Sequence, residues 1–177
     1  MFLKQILVGD MDNFCYLVGS SKECVVIDPG FDASKILNSL EGQKVVKILL
    51  THSHYDHDGE ASTISSKTGA KIFSGKDFKD KEEFKVGDLV FKVHHTPGHS
   101  SESVVYEVEK KLFTGDTLFV EGCGRTDFPG GDPVVMKKTL DKLKEFPDDY
   151  EVYPGHDYGS KKVSTIGYEK KNNSCLA

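Results

Sequence analysis

Apolar residues in the first part of the chain fall into short β-rich runs, Phe2 to Val8, Cys15 to Val18 and Cys24 to Ile27. Turn-prone Gly9-Asp10-Met11-Asp12-Asn13 and Gly19-Ser20-Ser21-Lys22 separate them, so the pattern predicts hairpin-linked strands. From Asp32 to Leu40 the spacing changes: Ile36, Leu37 and Leu40 share a helical face, and the strand Val45 to Leu50 follows. A helix from Glu60 to Lys67, a strand at Lys71 to Phe73 and a charged connector from Lys76 to Lys85 come next. Leu89, Phe91 and Val93 then alternate with Val90 and Lys92 in the period of a half-buried strand. Ser103 to Val108 and Lys111 to Thr114 form a predicted hairpin, and Pro133, at a first-turn position, opens an amphipathic helix through Val135, Met136, Leu140 and Leu143. Glu151 to Tyr153 is the last predicted strand, and a helix over Thr165 to Lys171 the last element. Strands mixed with helices throughout, with no repeat or compositional break, predict a layered α/β or α+β fold in one domain, 1–177.

Four of the strands run into unusual residues: THSHYDHDG at 51–59, TPGHSSES at 96–103, FTGDTLF at 113–119 and YPGHDYG at 153–159. Strands of one layered system can direct such loops to a common edge, where sites are usually built. That would gather His52, His54, Asp56, His57, His99, Asp116 and His156, enough donors for two metal ions. Imidazole and carboxylate without thiolate suit zinc, iron or manganese. Histidines two apart can wrap one ion from an extended loop, Asp56 and His57 would turn toward a second, and Asp116 could bridge. A lone histidine is more often a cap or a hydrogen-bonding core residue, but HxHxDH followed by three more His or Asp at strand ends is not a lone histidine. His94 and His95 only continue the preceding strand and are expected to be structural.

Composition narrows the possibilities. With 23 basic and 28 acidic residues the net charge is −5, and no basic stripe exists for nucleic acid. No apolar run approaches a membrane span, and the N-terminus lacks a signal peptide's apolar core and cleavage site, so a cytoplasmic protein is expected. Cys15, Cys24, Cys123 and Cys175 are scattered, which favours reduced thiols.

The order HxHxDH, then His99 in TPGHS, Asp116 in TGDTLF and His156 in PGHD, resembles the metallo-β-lactamase fold superfamily over nearly the whole chain. The positions are similar to those of its glyoxalase II branch. That resemblance implies an αββα sandwich, with His52, His54 and His99 on one metal, Asp56, His57 and His156 on the other, and Asp116 on both. No cysteine replaces a ligand position and no glutamate replaces His54, unlike the thiolate-bearing lactamase and flavo-diiron patterns. Asp28 in VVIDPG resembles a recurrent position with a supporting role.

Few residues follow His156, so no C-terminal helical domain of the glyoxalase II kind is expected. GCGRTDF, PGHDY and VSTI also resemble persulfide dioxygenases, which use a single iron at positions equivalent to His52, His99 and Asp116. The first expectation is therefore a metal-dependent hydrolase in which water activated between two ions attacks a thioester, hydroxyacylglutathione-like or a related small acyl compound. Asp56 and Asp116 would be both ligands and catalytic groups. A mononuclear iron persulfide dioxygenase is the alternative, and a metal-stabilised binding domain without activity a minor one; a phosphoester substrate is a variant of the first. Arg125 resembles an arginine that binds the glutathione portion in the dioxygenases, and its bland alternative is a salt bridge to Asp127 or Asp132. Tyr158 could give its hydroxyl to substrate or could be a packed aromatic. Gly122-Cys123-Gly124-Arg125 lacks the third glycine and the βαβ setting of a dinucleotide-binding turn, and Cys123 is expected to be an ordinary small thiol.

Overall fold

A computed structural model describes residues 1–176. The first sheet holds β1 (Phe2–Val8), β2 (Asn13–Gly19), β3 (Glu23–Ile27), β4 (Lys44–Leu49) and β5 (Lys71–Phe73), in chain order. Its first three strands pair antiparallel through tight turns, whereas β3, β4 and β5 run parallel, because helices carry the chain between them. These helices are α1 (Ala33–Asn38), the single turn α2 (Tyr55–Asp58) and α3 (Ala61–Thr68). The second sheet has β6 (Glu83–Val86), β7 (Leu89–His95), β8 (Val104–Val108), β9 (Lys111–Gly115), β10 (Glu151–Pro154) and β11 (Ser164–Thr165) in the order β11-β10-β9-β8-β7-β6. Here β9 and β10 are parallel, joined across α4 (Pro133–Leu143), and α5 (Ile166–Asn172) is followed by a 3-10 turn at Ser174–Leu176.

Side chains alternate along β2: Phe14, Tyr16 and Val18 enter the core between the sheets, while Cys15 and Leu17 point to the other face. From the second sheet Phe91, Val93, Tyr106 and Phe113 meet them. The outer face of the first sheet is covered by Ile36 of α1 and Ile64 of α3, and that of the second by Met136, Leu140 and Leu143 of α4. Both sheets are thus apolar on both faces, so each needs a helical layer outside, which produces the αββα sandwich.

Most predicted elements are present within a residue or two. The connector from Lys76 to Lys85 is not featureless: a 3-10 turn at Gly75–Asp77 and the edge strand β6 occupy it. Glu83 and Lys85 face solvent there, which hides the strand from a hydrophobicity pattern. Glu151–Pro154 is not the final strand, because Ser164–Thr165 adds a short antiparallel one at the sheet edge. The α4 start is as expected, with Pro133 in the first turn and Asp132 accepting hydrogen bonds from Val134 N and Val135 N.

Candidate metal centre

Strand direction decides where the unusual residues go. β7 and β9 are each antiparallel to β8 and so run the same way, as does β10, and their C-terminal ends deliver His99, Asp116 and His156 to one edge. The segment 51–59 leaves β4 of the first sheet at that edge, tied to the second by Val104 N donating to Thr51 O (2.8 Å) and Tyr106 Oη to Leu50 O (2.9 Å). His54, in extended backbone, caps α2; the helical turn then rotates Asp56 and His57 away from His52 and His54.

Two clusters of donors result. His52, His54 and His99 form one, with ring centroids 4.6 to 4.9 Å apart. Asp56, His57 and His156 form the other: His57 Nε2 lies 3.3 Å from His156 Nε2, and Asp56 Oδ2 lies 3.4 and 3.5 Å from them. Asp116 stands between, its Oδ1 3.2 Å from His57 Nε2 and its Oδ2 3.4 Å from His156 Nε2 and 3.6 Å from His99 Nε2. All seven predicted donors therefore come together.

The surroundings fix which nitrogens face inward. His99 Nδ1 donates to Arg125 O (2.7 Å) and His156 Nδ1 to Met11 O (2.9 Å), and a carbonyl can only accept. His57 Nδ1 contacts Asp28 Oδ2 at 3.1 Å. Asp28 also accepts from Thr51 N (2.7 Å) and Thr51 Oγ1 (2.6 Å), which leaves the Thr51 oxygen to accept from His52 Nδ1 at 3.1 Å. On His52, His57, His99 and His156 the inward Nε2 thus carries a lone pair, and His54 turns its Nδ1 to within 3.0 Å of His99 Nε2. His52 Nε2 is buried with no hydrogen-bond partner, and Asp116 Oδ1 likewise has no hydrogen bond despite its 3.2 Å approach to His57. Converging lone pairs and orphaned buried acceptors are unfavourable unless cations sit among them, so these residues fit one or two divalent metal ions.

Electrostatics agree. Burial pushes the His52 imidazole down, reinforced by His57, and burial and His99 push His54 down, so both imidazoles are neutral at neutral pH. Burial would raise the Asp56 and Asp116 carboxyls, but His156 and His57 more than offset it and hold both well below the usual range. The converse holds for His57 and His156: burial disfavours their charge, yet Asp116 raises both, His156 to about 9. Without a metal, protons therefore take the positions cations would hold.

Asn13 and Thr51 are supporting residues that sequence reasoning missed. Asn13 Nδ2 donates to Asp56 O (3.0 Å) and Oδ2 (3.1 Å), and as the end of a turn-prone stretch it carried no distinguishing signal. Gly155 explains the glycine of PGHD: a Cβ there would lie 2.5 Å from Asp116 Oδ1 and 2.9 Å from His57 Cε1. Asp28 adopts φ 51°, a left-handed conformation that aims its carboxylate at Thr51 and His57.

The clusters floor an open cleft of about 790 Å³, lined also by Arg125 and Tyr158. Arg125 makes a bidentate pair with Asp127, both contacts at 2.6 Å, while Asp132 serves α4 instead. Tyr158 stacks on His156 at 4.5 Å and donates to Met11 O at 3.3 Å. The Cys123 thiol also reaches the cleft; burial and its neighbour Cys175 push it up to about 12, so it is no thiolate at neutral pH. His94 and His95 lie elsewhere: His94 Nε2 pairs with Glu107 Oε2 at 2.6 Å, and His95 Nε2 donates to Phe78 O at 3.0 Å.

An αββα sandwich with His and Asp donors gathered at one sheet edge defines a class of metal-dependent proteins. Residues 8–79 and 74–156 match the metallo-beta-lactamase superfamily, and the chain belongs to it. It is 34% identical to hydroxyacylglutathione hydrolase of Anaeromyxobacter dehalogenans over 86% of this chain and 64% of that protein. It is also 32% identical to the probable polyketide biosynthesis zinc-dependent hydrolase BaeB of Bacillus velezensis, over 91% of this chain and 80% of that protein. Among solved structures, ETHE1 from Myxococcus xanthus superposes with a TM-score of 0.90 at 31% identity, covering 98% of this chain and 84% of that one. No helix among the described residues is long and apolar enough to cross a membrane.

Proposed function

We propose that the protein is a metal-dependent hydrolase acting on a thioester or related small acyl compound. The observation that carries this is the pair of three-donor clusters flanking Asp116 at the floor of an open cleft. His52, His54 and His99 would hold one ion, Asp56, His57 and His156 a second, and Asp116 both; zinc, iron and manganese suit these donors. Divalent ions there supply Lewis acidity, polarising an acyl carbonyl and lowering the pKa of water. Relatives named as a hydroxyacylglutathione hydrolase and a zinc-dependent hydrolase support hydrolysis and zinc.

The remaining work falls to this chain's own groups. Asp56, ionised at neutral pH and held by Asn13 Nδ2, offers its carboxylate as proton acceptor and orienter for an attacking water. Asp28 and the Met11 and Arg125 carbonyls keep His57, His156 and His99 in the tautomer that presents Nε2. Arg125 at the rim can exchange Asp127 for a substrate carboxylate, and Tyr158 is within reach of the same cleft. No serine or cysteine nucleophile is required, so no acyl-enzyme forms.

A second reading, a persulfide dioxygenase using one iron at His52, His99 and Asp116, is favoured by the GCGRTDF stretch, which brings Arg125 to the cleft rim. Metal content per chain by elemental analysis, with oxygen uptake on glutathione persulfide and hydrolysis of a thioester panel, separates them. Two ions, thioester turnover and no oxygen uptake are expected; one iron with rapid uptake would overturn the hydrolase. Asp116→Ala should abolish turnover, and near-wild-type activity would sink its shared role.

A further inference from the structure

Among the described residues three Phe or Tyr side chains are exposed, Tyr55 at 66%, Phe128 at 43% and Tyr158 at 56%, and all three line the metal cleft together with the exposed Met11. They are braced by neighbours. Tyr55 stands edge-on to Phe31 at 6.3 Å with its hydroxyl on Met11 Sδ at 3.2 Å. Tyr158 lies on the His156 ring at an interplanar angle of 12°. Phe128 meets His54 edge-on at 5.9 Å and carries the Arg125 guanidinium 4.0 Å from its centroid on the other side. Large apolar side chains held in water around one cleft mark a binding surface, because their hydration is unfavourable until something covers them.

The polar groups of the cleft lie on its floor, and the hydroxyls of the wall are already engaged, Tyr55 with Met11 Sδ and Tyr158 with Met11 O. With their protons already given to Met11, the two phenols offer a substrate hydroxyl only acceptor lone pairs, so such a group would exchange water for at most one weak contact on that wall. Arg125, the one lysine or arginine lining the cleft, stands at the rim in a bidentate pair with Asp127 that an anion could displace but an uncharged acyl hydroxyl could not.

We infer that the wall formed by Met11, Tyr55, Phe128 and Tyr158 receives the acyl group of the substrate, and that this group is apolar, aromatic or branched, rather than a hydroxyacyl group. This rests on the thioester-hydrolase proposal and names the side of the substrate that the cleft selects. An aryl acyl group would pack between Phe128 and Tyr55, with its carbonyl over the two donor clusters below.

The test compares acetyl, lactoyl and phenylacetyl thioesters of one thiol, N-acetylcysteamine, on the protein with its metal as purified. kcat/KM for phenylacetyl should exceed that for acetyl by at least about tenfold, with lactoyl no better than acetyl. Phe128→Ala should shrink that ratio, whereas Phe128→Leu, which keeps apolar volume, should retain most of it. Calorimetric Kd values for the corresponding N-acetylethylenediamine amides, in which NH replaces the thioester sulfur, give a readout that needs no turnover: the phenylacetamide should bind at least about tenfold tighter than the lactamide. Turnover of all three thioesters at equal kcat/KM, or a lactoyl preference, would overturn the inference and leave the hydrolase standing. A preference that follows the thiol instead, when glutathione replaces N-acetylcysteamine on a fixed acyl group, would also overturn it. No hydrolysis with tighter phenylacetamide binding would remove the hydrolase and keep the apolar wall; no hydrolysis with equal binding would remove both.

Discussion

Asp28 touches none of the cleft, yet replacing it with asparagine should disable half of the metal centre. The side chain is buried and accepts from Thr51 N at 2.7 Å, Thr51 Oγ1 at 2.6 Å and His57 Nδ1 at 3.1 Å. In Asp28→Asn the amide oxygen must stay with Thr51 N, a pure donor, so the NH2 group takes the place of Oδ2 and faces both Thr51 Oγ1 and His57 Nδ1. The threonine hydroxyl can rotate to accept. His57 can accept only by moving its proton to Nε2, which removes the lone pair aimed at Asp56 and His156. Losing such an outer partner typically weakens metal affinity about 10- to 100-fold, or about 1.4 to 2.8 kcal/mol. Removing the charge from three buried hydrogen bonds should also lower stability by about 3 kcal/mol, at about 1 kcal/mol for each. Competition with a chromophoric chelator reads the two affinities separately, and urea unfolding of metal-free protein reads the stability. The expected result is one weakened ion and one nearly unchanged. Wild-type affinity for both ions in a folded Asp28→Asn protein would refute the tautomer argument.

Gly155→Ala should cut turnover about 100-fold while the protein stays folded, because the added methyl displaces the Asp116 carboxylate; steady-state kinetics and metal analysis check this. Metal-free protein should lose stability as pH rises. His156 is raised to about 9 in the folded state, so its contribution is complete below the ordinary histidine pKa near 6.5 and is lost as pH climbs through 9. The loss is at most about 3 kcal/mol, opposed at low pH by Asp56 and Asp116, whose depressed pKa values stabilise only above the ordinary carboxyl range. Melting temperatures of metal-free protein should therefore fall from pH 6.5 to 9, and those of metal-loaded protein should not. His94→Ala should cost about 1 to 3 kcal/mol in urea unfolding by leaving Glu107 Oε2 without its partner, with unchanged metal content; loss of an ion would contradict its placement.

The convergence of the seven candidate donors was legible because their chemistry is rare and their positions are strand ends. HxHxDH needs both an extended stretch and a helical turn, and the change at Tyr55 from one to the other is what divides its four donors between two clusters. The layers were legible from the short apolar runs of β1 to β4, the alternation in β7 and the helical spacing of α4. What was not legible depends on partners distant in sequence. Asn13 is an ordinary turn residue until β10 brings His156 beside it, and Thr51 is one more β-branched residue until Asp28 is seen to hold it. β6 is hidden for a different reason: as an edge strand it turns Glu83 and Lys85 outward, and its pairing with β7 is carried by backbone groups that composition does not report.

The metal cluster straddles the seam between the two sheets, and this bears on how the chain can assemble. His52, His54, Asp56 and His57 leave the first sheet, whereas His99, Asp116 and His156 leave the second, so neither half alone owns a complete cluster. On a growing chain the first four donors emerge long before His156, and no second cluster exists until β10 is in place. An ion held by either cluster would be a cross-link across a long stretch of chain, the kind of closure that leaves the chain less freedom to open. Such an ion ties the two sheets together and stabilises the folded state by mass action. Metal occupancy thus doubles as a record of completed folding, and a chain stripped of metal should be the form that a protease finds first.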